Sequence, residues 1–140
     1  MKRLPLSDEQ AREWHEGRLS VVRRRMRAQP TEHVEQIHGI WCEWWDVDRG
    51  DGYVDQDARP LRAPFLPGEI VFIGEAWMGT PDCLSYKISD PRQVIEFGYD
   101  SWRSPITMPA WASRSKARIM SVTPEQEAGA WTWVIGVGRV

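Results

Sequence analysis

The apolar positions change period several times along the chain. Ser7 followed by Gln10 forms a capping-box start, and Leu6, Ala11 and Trp14 make a sparse apolar face behind it, so a helix is expected through about Glu16, ended by Gly17. From 18 to 26 the period falls to two. Leu19, Val21, Arg23 and Arg25 share one side, and Ser20, Val22, Arg24 and Met26 the other, which predicts a strand. In "TEHVEQIHGIWCEWWDVD", Val34, Ile37, Ile40 and Trp41 or Trp44 approach helical spacing, against which Gly39 weighs. "DVDRGDGYVDQDARP" has the composition of a loop, and "LRAPFLPGE" leads into the clearest strand, "IVFIGEAW". A short strand "CLSYKIS", an excursion "PRQVIEFGYDSW" and the Pro-framed "SPITMPAWASRS" follow. Two strands close the chain, "KARIMSVT" and "WTWVIGVGRV", separated by "PEQEAGA". Few helices and no strand-helix-strand rhythm predict an α+β fold, a small mixed β-barrel with helices at its rim. A chain of 140 residues fits one domain, 1–140.

Charge changes this picture more than composition does. The formal net charge of -2 conceals a segregation. Residues 1–27 carry eight Lys/Arg against four Asp/Glu, whereas residues 32–57 carry eight acids against Arg49 alone. Arg103, Arg114, Lys116 and Arg118 lie in a stretch, 101–118, that holds no acid, so a basic face is available to a polyanion on a protein whose sum is acidic. No apolar run approaches the roughly 18 residues that span a bilayer, and the start "MKRLPLSDEQ" lacks the apolar core of a secretory signal, so a cytoplasmic protein without a membrane segment is expected. Cys42 and Cys83 are expected to be reduced and packed.

Few motifs carry chemistry. Asp46, Asp48, Asp51, Gly52 and Asp55 nearly trace a calcium loop, but Gly50 stands where the third ligand belongs, which favours a hydrated acidic turn. His38 and Cys42 stand four apart without a third partner, so no metal site is expected, and His15 reads as a surface residue. Phosphate-cradling and nucleophile-elbow signatures are absent, and no cofactor is implied. Of the nine tryptophans, Trp41, Trp44, Trp45, Trp131 and Trp133 suit core or sheet packing. Trp77, Trp102 and Trp111 differ, since they neighbour Glu75, Arg103 and Arg114, and aromatic faces interleaved with arginine are what unpaired bases stack on. Glu75 ends an apolar strand, where a carboxylate must either pair, for instance with an arginine of the basic strand, or take an acid/base role.

These stretches together resemble one family. "GRLSVVRRR" resembles the G-R-K-T-x-T-x-R signature of ASCH domains, "PGEIVFIGEAW" their P-G-D-x-[LV]-x-V-x-E-x-[FW] strand, and "WRSPITMPAWASRSKARI" the W-x-[SP]-x-x-x-M-P-x-W-A-S-R segment of ASCH proteins common in bacteriophage genomes. "WTWVIGVGRV" is similar to their W-V-W-V-I-x-F-x-R-[VI] ending, and only an acidic stretch near 31–60 diverges. The resemblance implies a PUA-like fold and a cleft that takes RNA, single-stranded nucleic acid or a nucleoside. Some relatives hydrolyse 4-acetylcytidine and others are described as ribonucleases. Gly17, Arg18, Arg24 and Glu75 match the family pattern and Ser20 stands for its first threonine. Leu19, however, takes the place of the catalytic lysine, and Val22 that of the second threonine. Neither can donate, accept or attack, so a binding domain without the usual chemistry is expected, with Arg18, Arg24, Arg103 and Arg114 at phosphate or base edges, Trp77, Trp102 and Trp111 stacking, and Glu75 and Ser113 as polar contacts. Two alternatives stay open. One is an amidohydrolase or ribonuclease using Glu75 with Lys87 or Ser20, and the other a phage protein that blocks a host protein through its acidic segment.

Overall fold

The computed structural model describes residues 1–30, 33–91 and 102–140. The central layer is a five-stranded sheet, ordered β1 (Arg3–Pro5), β6 (Ile70–Gly74), β9 (Lys116–Glu127), β10 (Ala130–Arg139) and β2 (Val21–Arg25). Three further strands, β3 (Val34–Ile37), β4 (Ile40–Asp48) and β5 (Val54–Pro60), make a separate antiparallel sheet, and β7 (Trp77–Thr80) pairs with β8 (Cys83–Tyr86). One helix, α1 (Asp8–His15), starts on the expected capping box, with Ser7 and Gln10 exchanging side-chain and backbone hydrogen bonds. Two 3-10 turns, Pro105–Thr107 and Ala110–Ala112, lie within the Pro-framed segment.

The fold is β-rich with one short helix, but its sheets are open, which corrects the expected closed barrel. β1 and β2 lie at opposite edges of the five-stranded sheet, and no ladder joins them. Instead the Arg24 guanidinium donates to the Pro5 carbonyl, so a side chain bridges the two edges. The apolar core forms where α1 packs on this sheet: Trp14 and Ala11 meet Leu4, Val22, Ile73, Ala117, Ile119 and Ile135, all essentially inaccessible. Each such large aliphatic or aromatic side chain stabilises by roughly 1.5–3 kcal/mol relative to exposure.

The expected helix near 34–48 is a hairpin. His38 and Gly39, at φ 50° and 80°, form a two-residue turn of the kind that suits the twist of paired strands, and Ile37 faces Ile40 across it. The apparent three-residue spacing therefore records a facing pair, not a helical turn. Nor is 46–60 all loop: β4 runs to Asp48, and β5 pairs with it over seven residues, its acids tolerated because they project into solvent from an edge strand. The closing hairpin is longer than expected, with β9 continuing through "PEQE" to a two-residue turn at Ala128 and Gly129. The excursion "PRQVIEFGYDSW" falls almost wholly outside the described residues.

Candidate functional site

The strand "IVFIGEAW" is interrupted. β6 ends at Gly74, where a Cβ would meet the Pro105 carbonyl oxygen at 2.6 Å, and β7 begins at Trp77. Glu75 sits in the break, 2% exposed. A carboxylate so buried must be paired, and three donors reach it: Arg114 Nε lies 3.0 Å and His15 Nε2 3.0 Å from Oε2, and Arg114 Nη2 lies 2.7 Å from Oε1. The remaining Arg114 nitrogen donates to Ser89 Oγ at 2.9 Å, and the guanidinium lies over the Tyr86 ring, 4.2 Å from its centroid. Tyr86 in turn donates to the Ala112 carbonyl at 2.7 Å. Burial pushes its phenol up, opposed by Arg114 and reinforced by Glu75. The partner of Glu75 is thus an arginine from the segment before β9 and not one from the basic strand β2.

On the other side of Arg114 opens a cleft of about 740 Å³, lined by Phe72, Trp111, Ser113, Arg114, Ser115, Lys116 and Arg139 with the chain ends Met1 and Val140. Its side chains include three cations and no acid. They are not equally available. Arg114 is held by Glu75, and Arg139 stacks on the Trp14 ring at 4.1 Å and donates to the Trp14 carbonyl, whereas Lys116 is exposed and meets no acceptor among the described residues. Trp111, 53% exposed, presents ring surface to this cleft and packs edge-on to Trp77, with centroids 5.9 Å apart and planes at 88°.

The sequence-derived residues divide accordingly. Glu75, Arg114, Ser113, Trp111 and Trp77 come together, and Arg103 joins them through its backbone bridge to Trp77 and its guanidinium 5.0 Å from that ring's centroid. Trp77 is only 2% exposed, so it cannot offer a face for stacking as it stands. Ser113 Oγ is engaged with the Ile73 and Ser115 carbonyls at 2.7 and 2.9 Å. Trp102 is half-buried beside Arg103. Arg24 is not at this site: it is tied to the carbonyls of Pro5 and Arg23, and burial lowers its pKa. Arg18 pairs with Glu16, which raises its pKa, and Ser20 is exposed ahead of β2. Lys87 Nζ lies 2.8 Å from Asp8 at the start of α1 and does not reach Glu75. Leu19 packs against the main core and Val22 is inaccessible within it. Cys42 is buried as expected but Cys83 is exposed, and the described residues hold no group of three metal-ligating side chains.

Sequence reasoning missed His15, Tyr86, Ser89 and Lys116. His15 is exposed, as expected, but its ring reaches Glu75, 60 positions away, which no local pattern shows. Only Gly17, by ending α1 just after it, hinted at where it would lie. Lys116 was visible as part of an acid-free stretch, although nothing local distinguished it from its neighbours. Comparison with protein-family models, curated proteins and solved structures finds no match to this chain.

Proposed function

We propose that this chain is an ASCH-like domain of PUA-like type that binds RNA, single-stranded nucleic acid or a nucleoside in the cleft beside Arg114, and that it lacks the hydrolytic chemistry of its catalytic relatives. One observation carries the reading: a cleft whose charged side chains are all basic is lined by a half-exposed tryptophan and by a lysine that meets no acceptor among the described residues. An aromatic face supplies about 1–3 kcal/mol per stacked base, and a free ammonium supplies salt-dependent attraction to phosphate. Glu75 and Arg114 serve this site as a scaffold, because an arginine held by a buried carboxylate is fixed in position and largely neutralised.

The packing supports the absence of chemistry. Of the positions that would carry a reactive lysine and threonine, Val22 is inaccessible in the core and Leu19 packs against it, and Lys87, the substitute considered above, is engaged by Asp8. A phage-type origin belongs to the same reading through the M-P-x-W-A-S-R segment. The test is fluorescence anisotropy with a labelled single-stranded RNA at low salt. Trp111→Ala and Lys116→Glu should each weaken binding by about tenfold or more, while Arg18→Glu, away from the cleft, should leave it close to wild type. Turnover of 4-acetylcytidine by wild-type protein, abolished in Glu75→Gln, would overturn the non-catalytic part of the proposal.

A further inference from the structure

We infer that the indole N–H of Trp77 is a binding group, held in reserve for an acceptor atom on the edge of an unpaired nucleobase, and that Trp111 is the movable cover over it. The inference rests on the cleft reading above and specifies how that cleft would engage a base.

Trp77 is 2% exposed, yet its Nε1 meets no acceptor among the described residues. It is the sole buried side-chain N or O without a partner among the described residues. Elsewhere the protein finds distant partners for such groups: Trp14 Nε1 donates to Ser115 Oγ at 2.9 Å and Tyr86 to the Ala112 carbonyl at 2.7 Å. Folded proteins rarely leave a buried donor unused, because its lost hydration is not recovered. The backbone around Trp77 is fully employed, its N–H and C=O exchanging hydrogen bonds with Arg103, so the indole itself is rigidly placed. Arg103 lies over the ring, and Met108, Ala112, Leu84 and Tyr86 enclose the rest.

Trp111 packs edge-on against Trp77 and also lines the open cleft. At 53% exposure against 2% for Trp77, and standing on a three-residue 3-10 turn, it is the less confined ring of the pair. Turning aside, it would give a planar ligand access to the Trp77 edge and keep its own face for stacking. An N–H donor in that place selects a base carbonyl or ring nitrogen, not a phosphate, which Lys116 is better placed to meet.

The experiment compares two labelled strands of about eight nucleotides, an oligouridylate and an abasic strand carrying the same phosphates, against wild type and Trp77→Phe by fluorescence anisotropy. The substitution keeps an aromatic ring and removes the donor. The wild type should prefer the oligouridylate, and Trp77→Phe should lose roughly tenfold on that strand with no change on the abasic one. Equal affinity of both proteins for the oligouridylate would overturn the inference and leave the cleft reading standing, whereas a wild type that binds neither strand would overturn both. If the variant does not fold, the indole ¹H–¹⁵N resonance of Trp77 decides: it should shift and gain protection from exchange with the oligouridylate alone. A resonance unmoved by a strand that binds would refute the inference.

Discussion

Glu75 organises its surroundings because a buried carboxylate with three donors cannot lose one of them cheaply. Arg114→Ala should cost about 3–5 kcal/mol in chemical denaturation, since it strands a buried charge. Glu75→Gln should cost less, about 1–3 kcal/mol, because Arg114 and His15 are 30% and 27% exposed and can recover water. Equal and negligible effects of the two would contradict the geometry. Tyr86 offers a check by titration. Its phenol is raised in the folded state, so the stability it contributes is present below the ordinary tyrosine range and is lost as pH rises through the raised value. In absorbance titration its phenol should ionise above the ordinary tyrosine range. Val22 matters for the opposite reason. It is inaccessible, so Val22→Thr, which would place there the residue of the proposed ASCH pattern, should bury a hydroxyl at a cost of about 1–3 kcal/mol and yield no hydrolysis of 4-acetylcytidine, alone or with Leu19→Lys. The sequence showed that Leu19 and Val22 are chemically inert; only the packing shows that Val22 lies in the core and that Leu19 packs against it.

Elements with strong local signals were legible and those made by distant pairing were not. Ser7 and Gln10 announced α1, and alternation announced β2 and the closing hairpin, because caps and period-two patterns are local properties. The β3–β4 hairpin was obscured because Ile37 and Ile40 face each other across a turn while standing three apart in sequence. Likewise β5 is acidic and becomes a strand only through its pairing with β4. The closed barrel failed for a related reason, since nothing local told that β1 and β2 would be bridged by the Arg24 side chain rather than by a ladder. A sharp element-scale prediction concerns Gly79 in β7. Its φ is +118°, and a Cβ there would lie 2.0 Å from the Cys83 carbonyl oxygen. Gly79→Ala should therefore spring the β7–β8 pair and displace Trp77, costing about 2–4 kcal/mol, with an altered near-ultraviolet circular dichroism spectrum as its sign. A wild-type spectrum and midpoint would contradict the placement.

Across the whole molecule, charge is distributed by layer. The acids concentrate in the β3–β4–β5 sheet, where Arg49 meets Asp55 and Asp57, and Arg59 meets Glu43, so the acidic sheet satisfies part of its own charge. The cleft lies elsewhere, and its side chains bring no acid to oppose an approaching phosphate. Of the site residues suggested by sequence, Glu75, Trp77, Arg103, Trp111, Ser113 and Arg114 are gathered by the meeting of β6, β7 and the segment before β9, while Arg18, Arg24 and Lys87 are held by other partners. The segregation also predicts that binding should weaken as salt rises, in proportion to the few phosphates the cleft engages. The central claim is that the cleft beside Arg114 holds single-stranded nucleic acid through Trp111 and Lys116. Its most direct measurement is the affinity of wild type and of the double variant Trp111→Ala/Lys116→Glu for one labelled single-stranded RNA over a salt series. Salt-sensitive binding by the wild type, nearly abolished in a folded double variant, is the predicted result, and a folded double variant that binds as tightly as the wild type would contradict it.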